Sequence, residues 1–250
     1  MKKISSLLLA TIFLTTSIIT VKSENLNNPG VYFGIHYYDY TERTTSHDPF
    51  MTLKTAIPTV TIGLRDETAI REDVNNKFSY YTEFSYGRVT YAQHTGTAGH
   101  NHNYWVWQSE AFYALPVNFY TGLGYRHLKD YLSAAGLGGY DRQNQMVYLP
   151  VGYIYNNEEG ILKLQYNFLL EGTQFSQLSQ IPGYGDMTNT QNEGYGLEIA
   201  YTDPGGEWEV FTKYWNIDDS TLNTSTGTKW IVSGMEPMNE TLEIGVKVAF

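Results

Sequence analysis

Three histidines in one short segment are the residues best suited to metal chemistry. His94, His100 and His102 all fall within residues 92–102, a stretch rich in Gly and Thr. A His-x-His spacing can offer two imidazoles to one ion, and neutral imidazole is the commonest metal ligand. The segment contains no carboxylate, and ordering a flexible loop costs conformational entropy. A solvated loop is therefore the favoured interpretation, with a surface site for Zn²⁺ or Cu²⁺ as the alternative.

Two pairs of neighbouring residues could support hydrolysis. Asp218 and Asp219 form an acidic pair, and His47 is followed directly by Asp48. Adjacent side chains on a strand point to opposite faces, so adjacency alone builds no shared site. The sequence contains no phosphate-binding loop, metalloprotease helix motif or dinucleotide fingerprint. We therefore predict no catalytic residue and no cofactor, and we regard solvated loop charge as the favoured interpretation of both pairs.

The composition excludes several classes of protein. The 250 residues include no cysteine, which excludes a disulfide scaffold, a thiol nucleophile and a cysteine-based zinc site. With 16 basic and 26 acidic side chains the net charge is −10, so we expect no nucleic-acid partner, because such a partner needs a basic face. Tyrosine, with 22 residues, outnumbers lysine and arginine together. Mean hydropathy is −0.35, a value typical of a soluble chain.

The N-terminus has the pattern of a targeting segment. Lys2 and Lys3 precede an apolar stretch over residues 4–21, and Val21 and Ser23 have the spacing of a cleavage site for small residues. The core of this stretch, residues 7–20, is shorter than the roughly 20 apolar residues that a membrane anchor needs. We predict a signal peptide over residues 1–23 and one exported domain over residues 24–250.

The exported part repeats a period-two pattern that is typical of β-strands with one apolar face. The last segment is the clearest, because five apolar residues alternate there with Glu243, Gly245, Lys247 and Ala249. The pattern predicts ten strands, at residues 31–40, 55–65, 77–91, 103–115, 117–128, 143–155, 161–171, 193–203, 207–217 and 240–250.

The connections between these strands alternate in length. The longer ones are residues 41–54, 92–102, 129–142, 172–192 and 218–239, and the others are 66–76, 116, 156–160 and 204–206. Long loops on one side and short turns on the other are typical of an outer-membrane barrel. A secreted sandwich is the alternative, but it gives no reason for this alternation. The sequence therefore predicts an all-β fold, an antiparallel up-and-down transmembrane β-barrel of ten strands, with both termini on the short-turn, periplasmic side.

Aromatic residues gather near both ends of the proposed lipid-facing surface. Amphipathic rings favour the headgroup level of a bilayer, so two girdles are expected. The loop-side girdle would contain Tyr37, Tyr86, Trp105, Trp107, Tyr125, Phe168, Tyr195 and Tyr214. The turn-side girdle would contain Phe78, Tyr80, Tyr113, Phe119, Tyr153, Tyr201, Trp208 and Phe250.

The end of the chain resembles the C-terminal assembly signal of bacterial outer-membrane barrel proteins, which usually end in Phe. The residues that carry the resemblance are Leu242, Ile244, Val246, Val248 and Phe250. The resemblance implies a location in the outer membrane, contact with its lipid, and insertion by the barrel-assembly machinery through the C-terminal strand. It does not point to one narrower family.

Charged residues fall on the faces that would point into the barrel. The lumen is predicted to contain Glu83, Glu110, Arg126, Lys163, Glu171, Glu198, Lys213, Glu243 and Lys247, with His36 and Arg65 as further candidates. Side chains tend to fill the interior of small barrels. A network of paired charges is therefore favoured over a narrow channel whose lining selects ions.

The long loops are the remaining surface for function, because loops on a rigid scaffold usually carry recognition. We predict a structural or adhesion-type protein that acts through these loops, with an extracellular ligand as a potential partner. A narrow porin-like channel is the second interpretation. A third is a rim-site hydrolase, because outer-membrane proteases with ten strands use acidic and His–Asp pairs at the loop rim. The present chain looks short for that protease family and matches no further motif of it.

Overall fold

The fold is an antiparallel β-barrel. The computed structural model describes residues 30–67, 77–93, 98–135 and 139–250. Ten strands form the wall: β1 (Gly30–Arg43), β2 (Pro49–Asp66), β3 (Phe78–Gln93), β4 (Ala98–Ala114), β5 (Phe119–Asp130), β6 (Arg142–Asn157), β7 (Gly160–Ser176), β9 (Gly194–Thr202), β10 (Trp208–Ile217) and β13 (Met238–Ala249). Three shorter strands lie on the loop side: β8 (Met187–Gln191), β11 (Asn223–Thr226) and β12 (Ile231–Gly234). Two single 3-10 turns, Leu132–Ala135 and Leu178–Gln180, complete the described secondary structure.

The barrel closes because its first and last strands pair. β1 pairs with β2 on one edge and with β13 on the other, and β6 pairs with β7, so the hydrogen-bonded order returns to its start. Tyr32 lies opposite Ala249, which places the start of β1 and the end of β13 at one rim. On the loop side, where β9 begins, β7 continues and pairs with β8 instead. The prediction of a ten-stranded barrel is confirmed, and the predicted signal peptide over residues 1–23 lies outside the described residues.

The turn-side part of the wall is apolar outside, and its interior mixes polar and aromatic side chains. Outward side chains such as Ile62, Phe84 and Leu123 are between 43% and 57% exposed. Their inward neighbours Thr61, Glu83 and Gly124 are buried. The residues of both predicted aromatic girdles have exposed or half-exposed side chains. No helix in the described part of the chain is long and apolar enough to cross a bilayer.

The loop-side part of the wall has a different outer face. Its outward positions beyond the loop-side girdle, here called the aromatic row, are mostly polar, among them Asp39, Lys54 and Arg88. Its interior contains buried charges and a cluster of buried apolar side chains. The cluster contains Tyr38, Tyr40, Met51, Leu53, Val89, Tyr104, Val106 and Leu128. β2 has 18 residues, whereas about 9–11 are enough to cross a membrane. This part of the barrel therefore projects beyond the apolar belt.

This projection corrects several predicted loops. The first loop, predicted at residues 41–54, is limited to residues 44–48, because β1 and β2 continue above the belt. In the same way β3 continues to Gln93 and β4 begins at Ala98, within the predicted loop 92–102. His100 and His102 therefore lie on a strand. The last loop contains the hairpin of β11 and β12. The turn predicted at residue 116 alone spans residues 115–118, where Val117 and Asn118 have positive φ angles.

A bulge in β7 corrects the predicted position of Glu171. Val147 pairs with Glu171 and Tyr148 with Leu169, so Leu170 is an extra residue in β7. An extra residue reverses the alternation of side chains beyond it. Leu170 and Glu171 are consequently both exposed on the outside of the barrel, and Glu171 is no part of the lumen.

Aromatic rings on the inner wall lie over glycines of the neighbouring strand. Tyr120 pairs with Gly152, and a Cβ atom on Gly152 would lie 2.1 Å from Cζ of Tyr120. Four other direct cross-strand pairs have the same arrangement: Tyr32 with Gly63, Tyr104 with Gly87, Tyr148 with Gly124 and Trp215 with Gly196. A glycine at these positions leaves room for a ring to lie against the wall, which gives the inward tyrosines a structural role.

Candidate functional site: the charged barrel interior

An ion pair between Arg126 and Glu243 crosses the barrel. Arg126 Nη2 donates to Glu243 Oε1 at 2.6 Å, and both side chains are at most 3% exposed. Arg126 is on β5 and Glu243 on β13, which are five strands apart in either direction around the wall. The two side chains therefore meet across the lumen, and their burial shows that other side chains surround them at this level.

Next to the Arg126–Glu243 pair, Glu83 binds two lysines. Lys213 Nζ donates to Glu83 Oε1 at 2.6 Å, and Lys247 Nζ lies 3.2 Å from Glu83 Oε2. The Tyr32 hydroxyl donates to the same carboxylate at 3.1 Å. Both lysines also lie against the ring of Tyr81, 5.2 Å and 4.9 Å from its centroid. The aromatic rings thus add cation–π contacts to the ion pairs.

A third cluster joins β4, β6, β7 and β9. Glu110 accepts hydrogen bonds from Tyr148 at 2.7 Å and from Gln165 at 3.0 Å. Lys163 Nζ lies 3.1 Å from Glu198 and 5.2 Å from the centroid of the Phe112 ring. The cluster thus combines an ion pair with hydrogen bonds from neutral side chains. Because buried charges need partners of this kind, we interpret it as a structural network, although Glu110 Oε2 and Glu198 Oε2 have no hydrogen-bond partner among the described residues.

Further ion pairs lie at both ends of the lumen. On the turn side, Arg65 Nη1 donates to Glu209 Oε2 at 2.6 Å. On the loop side, Arg142 donates to Glu42 on the opposite wall and to Asp130 at 2.8 Å. A cavity of about 20 Å³ lies between the loop-side and central layers, which is room for about one water molecule. The side chains of the Arg65–Glu209, Arg126–Glu243 and Arg142–Glu42 pairs are at most 12% exposed, so the described interior is packed at each of these levels.

Glu236 contributes a third carboxylate to the loop-side layer. It precedes β13, and its backbone N–H donates to Ser220 Oγ at 2.8 Å. Its side chain is 7% exposed, and Oε1 has no hydrogen-bond partner among the described residues. Burial, with the carboxylates of Glu42 and Asp130 nearby, raises the pKa of Glu236 well above its usual range, although Arg142 acts in the opposite direction. Three carboxyl groups, those of Glu42, Asp130 and Glu236, thus lie near one arginine, Arg142. These surroundings favour the protonated form of Glu236.

The structure brings eight of the nine predicted lumen residues into this interior, and Glu171 is the exception. His36 and Arg65 also point inward, and His36 Nε2 lies 3.7 Å from Glu243. Sequence reasoning missed Glu42, Asp130, Arg142 and Glu209. The first three lie in segments that the sequence pattern predicts as loops and that the structure shows as strands. If the alternation of inward and outward residues is continued through residues 38–43 and 126–130, it places Glu42 and Asp130 on the inner face.

The three histidines are not brought together by the described part of the structure. His100 and His102 share the inner face of β4, and both ring nitrogens of His102 lack a partner there. His94 lies outside the described residues. Within the described ranges, no group of three or more His, Cys, Asp and Glu side chains could hold a metal ion. A site for Zn²⁺ or Cu²⁺ at His94, His100 and His102 stays a prediction.

The two residue pairs considered for hydrolysis lie on separate loops. His47 and Asp48 are exposed in the turn between β1 and β2, where Ser46 Oγ donates to Asp48 at 3.1 Å. Asp218 and Asp219 directly follow β10. Among the described residues, no hydrogen bond or ion pair joins the two loops. The arrangement therefore gives no support to a shared catalytic centre.

A closed barrel with an apolar outer belt, aromatic girdles and a charged interior is a transmembrane β-barrel of the bacterial outer-membrane type. No family model and no curated protein matches the chain. Among solved structures, it is similar to the outer membrane protease OmpT from Escherichia coli, with 10% identity, coverage of 89% of this chain and 96% of that chain, and a TM-score of 0.48.

Two autotransporter domains are also similar to this chain. The translocator domain of NalP from Neisseria meningitidis has 11% identity, coverage of 99% and 96% of the two chains, and a TM-score of 0.40. The β-domain of BrkA from Bordetella has 10% identity, coverage of 89% and 99%, and a TM-score of 0.44. At such identities the likeness does not extend to activity.

Proposed function

We propose that this protein is a closed outer-membrane barrel that serves as a rigid scaffold for cell-surface loops, as a structural or adhesion-type protein. The Arg126–Glu243 pair carries the proposal, because it joins opposite walls at 2.6 Å with both side chains at most 3% exposed, which supports an interior that is filled at that level. The Arg142–Glu42 pair crosses the barrel again nearer the loops. Both pairs weigh against the narrow porin-like channel.

The loop side supports the role in display. The wall projects beyond the apolar belt there, and the β11–β12 hairpin rests on the loop after β7, where Ser225 Oγ donates to the Asp186 carbonyl at 2.6 Å. The hairpin exposes three large apolar side chains, Leu222, Trp230 and Ile231, at 69%, 55% and 73%. Exposed aromatic and aliphatic side chains on an ordered support are suited to anchoring a partner.

The proposal includes an orientation: the loops face outward and both termini face the periplasm. We also propose that β13 is read by the barrel-assembly machinery, and its outward residues support this. Phe250 is 45% exposed and packs edge-on against Phe33 at 5.1 Å, at the seam where the barrel closes. A signal at this seam would be available until β1 and β13 pair.

Epitope insertion tests the display of the loops. A short tag would be inserted after Gly227, at the tip of the hairpin, and in a matched control variant after Glu158, in the turn between β6 and β7. On intact cells an antibody should bind the Gly227 tag, and it should bind the Glu158 tag only after the outer membrane is permeabilised. Binding of the Glu158 tag on intact cells, or of neither tag before permeabilisation, would overturn the proposal.

A further inference from the structure

One sector of the outer wall has a different charge from the rest of this acidic protein. Above the aromatic row, the described outward residues of β2 to β6 include no acidic side chain. Besides Phe50, they include Thr52, Lys54, Ala56, Arg88, Thr90, Ala92, Asn101, Asn103, His127, Lys129, Gln143 and Gln145. The remaining strands carry Asp39, Glu171 and Glu240 on their outer faces. β1 also carries Arg43, but this side chain is paired with Glu240. Basic side chains without a neighbouring acid on their own strands are thus found on the β2 to β6 side, just beyond the apolar belt.

The register places three of these cations near one another. Lys54 pairs with Thr90, which is two residues from Arg88 on the same face of β3. Arg88 pairs with Asn103 on β4, and the next outward residue, Trp105, pairs with Lys129 on β5. Lys54 and Arg88 are diagonal neighbours on adjacent strands, about 7–8 Å apart. Lys129 lies two strands and one row from Arg88, roughly 12 Å away at the usual strand spacing. Long basic side chains can span these gaps and approach one anionic group in front of β4.

Of these three cations, Lys54 and Lys129 already contact other side chains, whereas Arg88 can bind a ligand. Lys54 is paired with Asp39 at 3.0 Å, and Lys129 Nζ lies 5.1 Å from the centroid of the Tyr131 ring. Arg88 is exposed, and none of the described residues pairs with its guanidinium. A guanidinium presents a planar fork of donors that matches the oxygens of a phosphate.

A bulge in β2 forms an apolar ledge beside Arg88. The register slips between Thr55 and Ile57 and again between Ile57 and Val60, with Pro58 in the gap. Three consecutive side chains, at residues 56–58, are exposed there. Ile57 pairs with Arg88 and is 57% exposed, and Tyr86 on the neighbouring strand is 48% exposed. Exposed apolar side chains next to an unpaired cation suit a molecule that has an acyl chain and an anionic headgroup.

We propose that the outer wall of β2 to β5 binds the phosphorylated headgroup of a membrane lipid. Arg88 and Lys129 face the phosphate, Lys54 and Asn103 flank it, and the ledge at Ile57 contacts an acyl chain. The site adds a specific lipid to the general contact of a barrel with its bilayer. It depends on the membrane placement of the barrel but not on the display of the loops.

Native mass spectrometry of the full chain in dodecyl maltoside can test the site. The probes are lipid A, a bacterial glycolipid with two phosphates, the same lipid after its phosphates are removed, and inorganic phosphate. Each basic residue at a membrane surface contributes about a fivefold change in binding. Arg88→Gln and Lys129→Gln should therefore each weaken binding of lipid A about fivefold, and Lys229→Gln, on an exposed loop, should leave it unchanged.

Heat-dependent gel migration would first show that each variant is folded. The proposal is supported if lipid A binds more tightly than its dephosphorylated form and only the two wall variants lose affinity. It is overturned if the two lipids bind equally, or if Arg88→Gln and Lys129→Gln bind lipid A as the wild type does. Displacement of lipid A by millimolar inorganic phosphate would show a site for free anions and would also overturn it.

Discussion

Arg126 shows how a charge can be kept inside a membrane barrel. Its guanidinium donates to Glu243 and lies 6.0 Å from the centroid of the Trp215 ring, with 1% of the residue exposed. Removing water from two charges is expensive, and their attraction offsets this only when the pair stays complete. We therefore expect the pair to behave as one unit when it is mutated.

A double-mutant cycle tests this unit. Arg126→Met should destabilise the barrel by about 3–5 kcal/mol, because Glu243 would be left as an uncompensated buried charge. Adding Glu243→Leu should recover about 1–3 kcal/mol of that loss. The measurement is urea unfolding from lipid vesicles, and Arg43→Met is the control, because Arg43 pairs with Glu240 at a partly exposed site. Additive effects of Arg126→Met and Glu243→Leu would contradict the account.

Glu236 gives the barrel a pH dependence of defined sign. Its pKa is raised in the folded protein by burial first and by nearby carboxylates second. The folded state therefore binds a proton that the unfolded state releases, and stability falls as pH rises from the ordinary carboxyl pKa through the raised one. Glu236→Gln should unfold at a higher temperature than the wild type at neutral and alkaline pH, and at the same temperature near pH 4. A thermal midpoint that is equal at every pH would refute this.

At the scale of the strands, pairs of a glycine and an aromatic ring hold the inner wall together. The hydroxyl of Tyr120 reaches Gln165 on β7 at 2.7 Å while its ring covers Gly152 on β6. The ring therefore connects three strands, and the same arrangement recurs with Tyr32, Tyr104 and Tyr148, whose hydroxyls bond to a third strand. Trp215 covers Gly196 in the same way but has no hydroxyl. Such rings fill a lumen with apolar surface while the tyrosine hydroxyls join the polar network.

A single methyl group should disturb this packing. Gly152→Ala would place Cβ 2.1 Å from the Tyr120 ring and should cost about 1–3 kcal/mol, the usual effect of overpacking. Gly205→Ala is the control, because Gly205 lies in an exposed turn where the nearest atom is 3.1 Å away. Thermal unfolding in detergent measures both variants. Equal midpoints for the two variants would count against a role for the covered glycines.

The sequence predicted the strands but not their full lengths, and the reason is physical. Between Val31 and Tyr37 the outward residues are apolar because they face lipid, whereas beyond Asp39 the outward residues are polar because they face water. The apolar residues move to the inner face in the same strand, at Tyr38 and Tyr40. A prediction that requires the same face of a strand to stay apolar therefore places the loop-side end of the strand too early. The bulge at Leu170 was invisible for a similar reason, because it changes the face of Glu171 without changing composition.

For the whole molecule, the outer face of the barrel changes along the axis from apolar on the turn side to mostly polar on the loop side. The interior contains both buried charges and buried apolar side chains in each part. Ion pairs cross the lumen in both parts, through Arg126 and Arg142. The barrel is thus a filled support, and its surface rather than its interior is available for function.

Conductance in a planar lipid bilayer tests the filled interior most directly. The purified protein would be inserted into a bilayer under an applied voltage, and insertion would be verified afterwards by recovering heat-modifiable protein from the membrane. A lumen closed by the Arg126–Glu243 and Arg142–Glu42 pairs predicts no steady current above that of the bare bilayer. Reproducible conductance steps from the wild-type protein would show an open path and contradict the account.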